Sequence, residues 1–253
     1  MNPGRPIVMS IAGFDPSGGA GILADIKTFE QLNVQGFGVM TANTIQNDKE
    51  VVSVKWIPIE AILEQMDILL KRFEVGYFKI GIIENSEVFT TIKKHIIQYN
   101  PEAKIVWDPI LKSSSGFTFF KNEIPLKDLL ELVYLVTPNL PEFEKLFVDE
   151  ESVLEHPAAS NVFLKGGHSE TRKGFDHLYS EGVRTVYSPG NGMVYPKHGS
   201  GCVLSSAITA FLAKEYSLPV ACREGKKYTE QYLSSGTGLL GSHNLNTQWL
   251  KEY

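Results

Sequence analysis

Pro6–Leu32, PIVMSIAGFDPSGGAGILADIKTFEQL, sets the pattern that the rest of the chain repeats. Ile7–Gly13 is apolar almost throughout and reads as a buried strand. Gly18, Gly19 and Gly21 follow in a short loop, and Ile22, Ile26 and Phe29 then recur on one face of a helix. The next apolar run, FGVMTANTIQN at Phe37–Asn47, supplies a second strand. Strand, glycine loop, helix, strand is the unit from which parallel sheets are built.

The same alternation continues outward. Helical spacing marks Pro58–Phe73 (Ile62, Met66, Leu69 and Leu70), Ser86–Tyr99 opened by Ser86, Leu126–Val133 and Pro141–Phe147. Short apolar runs mark strands at Tyr77–Ile83, Ala103–Pro109, Tyr134–Asn139 and Asn161–Gly167. Phe175–Gly190 reads as a hairpin, and two helices close the chain, the first within Lys197–Ala213. The expected fold class is therefore α/β: a mostly parallel central sheet with helices on both faces, in one domain over residues 1–253. Ligands of such sheets bind beyond the carboxyl ends of the strands.

Composition narrows the partners. A net charge of -5 over 253 residues argues against nucleic acid or an anionic membrane as the main partner. No apolar run approaches the roughly 20 residues that span a bilayer. Cys202 and Cys222 are the two cysteines, too few for an exported disulfide scaffold, so the expected setting is cytoplasmic with both thiols free. Cys222 reads as a small buried helix residue.

Several residues sit where a strand has just ended. Gly18, Gly19 and Gly21 either let the backbone approach a ligand at a helix N-terminus or simply make a tight turn. Asp108 closes KIVWDP and could hold Mg²⁺ through water or cap the turn that Pro109 forces. Glu142 begins the helix after LVTPN and has the same two readings, metal organiser or dipole-complementing glutamate. Lys165 ends NVFLK before a Gly-Gly pair, placing a cation for a phosphate oxygen or, more simply, at a sheet edge. Gly199, Ser200 and Gly201 lead into the helix CVLSSAITAFLA, whose first free amides can surround an anion. Cys202 in that first turn should have its thiolate favoured by the helix dipole, and could then take a proton from an attacking hydroxyl.

Taken together, IAGFDPSGGAGILADIKTF, IQND, KIG, WDP, TPNLPE, LKGGH and HGSGCVLSSAI, in this order, make the chain resemble the hydroxymethylpyrimidine/phosphomethylpyrimidine kinases of thiamine biosynthesis. The resemblance runs from about Ile7 to Tyr228 and implies a ribokinase-like three-layer α/β/α sandwich. It implies ATP and Mg²⁺ as cofactors, a small pyrimidine substrate phosphorylated on its hydroxymethyl group and then on the monophosphate, and a homodimer. By motif position, Cys202 is the base, and Gly199, Ser200 and Gly201 form the anion hole. Gly13, Asp25 and Gln46 hold the pyrimidine beside a wall that includes Ile82. Asn139 and Lys165 meet the ATP phosphates, and Asp108 and Glu142 organise the metal. The chain departs from the family with serine at Ser200 in place of threonine, Ile82 and Ile83 in place of methionine, and Lys197 where asparagine is common. DPILKSSSG and a shortened stretch between Glu142 and Lys165 also depart. A pyridoxal kinase, or a ligand-binding module without catalysis, are the competing expectations.

Overall fold

The computed structural model describes residues 4–113, 116–119, 129–147, 153, 161–168 and 173–243. Nine strands form one sheet in the order β3-β2-β1-β4-β5-β6-β7-β8-β9. They are β1 (Ile7–Phe14), β2 (Gln35–Gln46), β3 (Val51–Trp56), β4 (Tyr77–Ile80), β5 (Lys104–Trp107), β6 (Leu135–Val136), β7 (Asn161–Leu164), β8 (Asp176–Ser180) and β9 (Val183–Tyr187). Strands β2, β1, β4, β5, β6 and β7 run parallel, while β3, β8 and β9 attach antiparallel at the two ends. The described helices are α1 (Gly21–Gln31), α2 (Ile59–Leu70), α3 (Ser86–Tyr99), α4 (Leu140–Leu146), α5 (Ser200–Ala213) and α6 (Leu218–Leu233).

Period-two alternation decides which helix covers which face. Met9, Ile11, Phe78, Ile80, Ile105, Trp107, Val162 and Leu164 pack with α2, α3 and α4 through Ile62, Met66, Phe89, Ile92, Ile96 and Phe143. Their strand neighbours Val8, Val106 and Phe163 turn the other way and pack under α1, α5 and α6, against Phe29, Ile208, Ala210 and Cys222. The result is the three-layer α/β/α sandwich. Cys222 is fully buried among apolar side chains, as its sequence context suggested.

The order of strands places the site. From β1 the chain moves outward to β2 and β3, then returns to the opposite side of β1 as β4. At such a reversal the two connections diverge and leave a crevice at the strands' carboxyl ends. Gly13 and Gly81 lie there, and Gly81 donates its amide to Ile11 O at 2.9 Å.

Differences from the sequence reading have local causes. Asn85, not Ser86, caps α3: its side chain accepts from the Val88 amide, and Ser86 is the first helical residue. Strand β3 extends the sheet beyond β2, yet none of VVSVKW is fully buried and Val52 and Lys55 are exposed at the sheet edge, so it carries little continuous apolar signal. Of the helix expected over Leu126–Val133, residues 129–133 are described and form a short turn in place of an α-helix, with the Val133 amide donating to Leu130 O at 3.0 Å. Most of the shortened stretch between Glu142 and Lys165 lies outside the described residues.

Candidate active site

Two helix N-termini meet at the crevice. Gly199 is the N-cap of α5, in left-handed backbone at φ 73°. A Cβ on it would lie 2.0 Å from Gly19 O, so only glycine lets the loop before α5 press against the loop before α1. Gly21, at φ 58°, is equally tight: its Cβ would lie 2.1 Å from Gly13 O. The glycine run is thus a close approach of backbone to backbone, and it brings the two sets of free amides together.

Asp15 and His198 lock this arrangement. Asp15 accepts from Ser17 N at 2.8 Å, Ser17 Oγ at 2.9 Å and Ala20 N at 2.8 Å, and pairs with His198 Nε2 at 2.8 Å. Burial opposes its charge, but His198, Ser17 and Ala20 outweigh burial and hold the carboxyl below its usual range. Lys197, buried, donates to Gly236 O and Gly238 O, and the His198 amide donates to Leu239 O. The segment after α6 is thereby tied to the loop before α5.

Ser200, Gly201 and Cys202 form the first turn of α5. A Cβ on Gly201 would stand 3.4 Å from Lys165 Nζ and 3.7 Å from Asp108 Oδ2, so the turn lies directly on that pair. Lys165 donates to Asp108 Oδ1 at 2.8 Å and lies 3.8 Å from Glu142 Oε2. Burial disfavours the Lys165 charge, but Asp108 and Glu142 reverse that and raise its pKa. Glu142 is pushed above the ordinary glutamate range by burial, with Asp108 adding to the effect and Lys165 opposing it. The structure therefore brings Asp108, Glu142, Lys165 and Gly201 into one cluster. Glu142 and Asn139 also form a capping box: Glu142 N donates to Asn139 Oδ1 at 2.9 Å, and Asn139 N donates to Glu142 Oε2 at 2.8 Å. The helix-start reading of Glu142 is present alongside its place in the cluster.

One expectation is corrected. The Cys202 thiol is pushed up to about 11, not down: burial dominates, Asp108 and Asp25 add to it, and Lys79 and the Gly21 amide only partly offset it. The helix dipole is weaker than the desolvation of a residue 5% exposed. Asp25 lies beneath α5. It is fully buried, with Lys79 Nζ at 3.0 Å from both oxygens, Ser10 Oγ at 2.5 Å and Ser206 Oγ at 2.7 Å.

The remaining expected substrate residues lie on the β1–β4 side. Gly13 abuts Ile82, since a Cβ there would meet Ile82 Cδ1 at 2.4 Å. Ile82 packs with Ala42 and Phe119, flanked by Val51, Val54, Trp56, Ile110 and Phe117, which makes an apolar wall. Gln46 is the half-buried last residue of β2.

Lys79, Asp15, His198, Ser205 and Ser206 were not singled out in the sequence. A charged residue inside the apolar run YFKI was the available signal for Lys79. The serine pair one turn beyond Gly201 and Cys202 was the signal for the other support: Ser205 reaches Asp108 Oδ2 at 3.3 Å and Ser206 reaches Asp25.

A sequence model of the family described as phosphomethylpyrimidine kinase matches residues 15–246. The chain is 33% identical to a hydroxymethylpyrimidine/phosphomethylpyrimidine kinase of Aquifex aeolicus, over 92% of this chain and 96% of that protein. It is 32% identical to the enzyme of the same name from Rhizobium meliloti, over 96% and 98%. Among solved structures it is similar to phosphomethylpyrimidine kinase from Clostridium difficile 630, with TM-score 0.74, 31% identity and coverage of 90% of this chain and 99% of that one. It is also similar to a Staphylococcus aureus pyridoxal kinase in complex with AMP-PCP and pyridoxal, with TM-score 0.79, 25% identity and coverage of 94% and 92%. With a match this long and relatives this similar end to end, the chain belongs to the phosphomethylpyrimidine kinase family.

Proposed function

We propose that this chain is a single-domain kinase that uses ATP to phosphorylate 4-amino-5-hydroxymethyl-2-methylpyrimidine and then its monophosphate, in thiamine biosynthesis. The observation that supports this most is the contact of the Gly199–Gly201 turn with the Asp108–Lys165–Glu142 cluster at the carboxyl rim of the sheet. Phosphoryl transfer spreads charge over the equatorial oxygens of the moving group and needs positioned donors more than covalent chemistry. The amides opening α5 and the Lys165 ammonium are such donors, and Asn139 stands beside them at the start of α4.

Asp108 and Glu142 offer hard carboxylate oxygens, and burial strains Glu142 in a way that a cation would relieve. This fits Mg²⁺, which takes one or two carboxylates together with substrate phosphates and water. Bound there, Mg²⁺ would neutralise charge on the ATP phosphates. Gly13, Gln46 and the Ile82 wall would hold the ring, with Asp25 acting from behind.

Cys202 receives the hydroxyl proton in this reading. Its sulfur is protonated at neutral pH in the ligand-free protein, because the thiol titrates up to about 11. Only the small anionic fraction can serve as base, although that fraction is a strong one. The hydroxyl becomes acidic as its oxygen bonds to phosphorus, so the proton moves late in a loose transition state.

The test is ADP release with Mg-ATP and each of three acceptors: the pyrimidine alcohol, its monophosphate and pyridoxal. Turnover on both pyrimidines is expected. Turnover on pyridoxal alone assigns the chain to the other vitamin, and ADP release with none of them leaves a binding module.

A further inference from the structure

We propose that Lys79 is a positioning residue for Cys202: its buried ammonium, held by Asp25, is the fixed positive charge that supports the sulfur in its anionic form. The proposal rests on Cys202 acting as the base.

Alternation along β4 sends Phe78 and Ile80 to the α2–α3 layer, so Lys79 points to the opposite face, under α1 and α5. Its register partner on β1 is Ser10, which points the same way. Lys79 and Asp25 are both fully buried, and Asp25 accepts from Ser10 on β1 and Ser206 on α5 as well as from Lys79. Carrying two charges into a sheet–helix interface costs several kcal/mol per ion in desolvation, and apolar side chains of similar size would fill the space without that cost. Lys79 neutralises the buried Asp25 carboxylate on which α5 is seated.

Its neighbours give the cation a further role. Ser206 lies one helical turn beyond Cys202, so the Asp25–Ser206 bond fixes the face of α5 that carries the sulfur. The charged groups around that sulfur come from four elements: Lys79 from β4, Asp25 from α1, Asp108 from the end of β5 and Lys165 from the end of β7. Gly21 adds a backbone amide from the start of α1. Among these, Lys79 acts most strongly in favour of the anion, and outweighs Asp25. The influence is mutual: burial opposes the Lys79 charge, while Asp25, Cys202 and Asp108 hold it in place.

Lys79→Met tests this by the rate at which iodoacetamide alkylates Cys202 at fixed pH, with the adduct located by mass spectrometry. Loss of the charge should slow alkylation at least tenfold, and should lower kcat at least tenfold with the KM for ATP within twofold. A merely structural role predicts the opposite, because a loosened site exposes the sulfur. An unchanged or faster alkylation rate therefore overturns the proposal, as does a raised KM with kcat retained. Should Lys79→Met fail to fold with Asp25 left unpaired, the double variant Lys79→Met/Asp25→Asn leaves no buried charge alone, and the same two measurements apply. Alkylation needs no phosphoryl acceptor. If the wild type phosphorylates neither pyrimidine, the functional reading fails while the link between Lys79 and the sulfur is still decided.

Discussion

Gly199 shows how little freedom the site leaves at a single residue. Its left-handed backbone and the 2.0 Å clearance from its Cβ position to Gly19 O mean that one added methyl must part the two loops. Gly199→Ala should lower kcat by two orders of magnitude or more, with a lower melting temperature, as read from kinetics and thermal unfolding. Cys202→Ala should cost about 10²–10⁴-fold in kcat, the usual contribution of a general base, with pyrimidine binding by calorimetry close to wild type. A pH dependence accompanies it. Because burial holds the thiol near 11, the anionic fraction grows about tenfold per pH unit below that value, and kcat/KM should climb through pH 7 to 9 with it. A thiolate absorbance that titrates below pH 8 in the ligand-free protein would contradict the burial argument.

At the scale of elements, α5 is held by what lies beneath it. Ser205 and Ser206 bond to Asp108 and Asp25, which pair with Lys165 and Lys79, so consecutive serines seat the first turn on two buried acid–lysine pairs. The loop before α1 is held separately by Asp15. Its carboxyl is below the ordinary 3.8 in the fold, so its stabilising effect is complete above that value and is lost only as the pH falls further. Asp15→Asn should remove that acid dependence and loosen the loop, read as faster amide exchange at Ser17 and Ala20. Much of this was legible beforehand. The parallel α/β architecture followed from apolar runs alternating with helical spacing, and Asp108, Glu142 and Lys165 were found because each ends a strand or starts the next helix. What stayed hidden was environment. That Asp25 meets Lys79, Ser10 and Ser206 depends on residues 54, 15 and 181 positions away in the chain converging on one side chain of α1. The rise in the Cys202 thiol likewise depends on burial that a helix-terminus rule does not contain.

Over the whole molecule, the sheet's reversal at β1 and β4 makes the crevice, and helices on both faces keep it rigid. Phe29, fully buried between α1 and the sheet, contributes to that rigidity from a distance. Phe29→Ala should cost about 3–5 kcal/mol in denaturant unfolding while leaving the KM for ATP near wild type. No described helix is long and apolar enough to cross a membrane. The most direct test of the account is the kcat of wild type against Cys202→Ala with Mg-ATP and the pyrimidine alcohol. A loss of about a hundredfold or more, with the KM for ATP preserved, is predicted; equal turnover by the two proteins would contradict it.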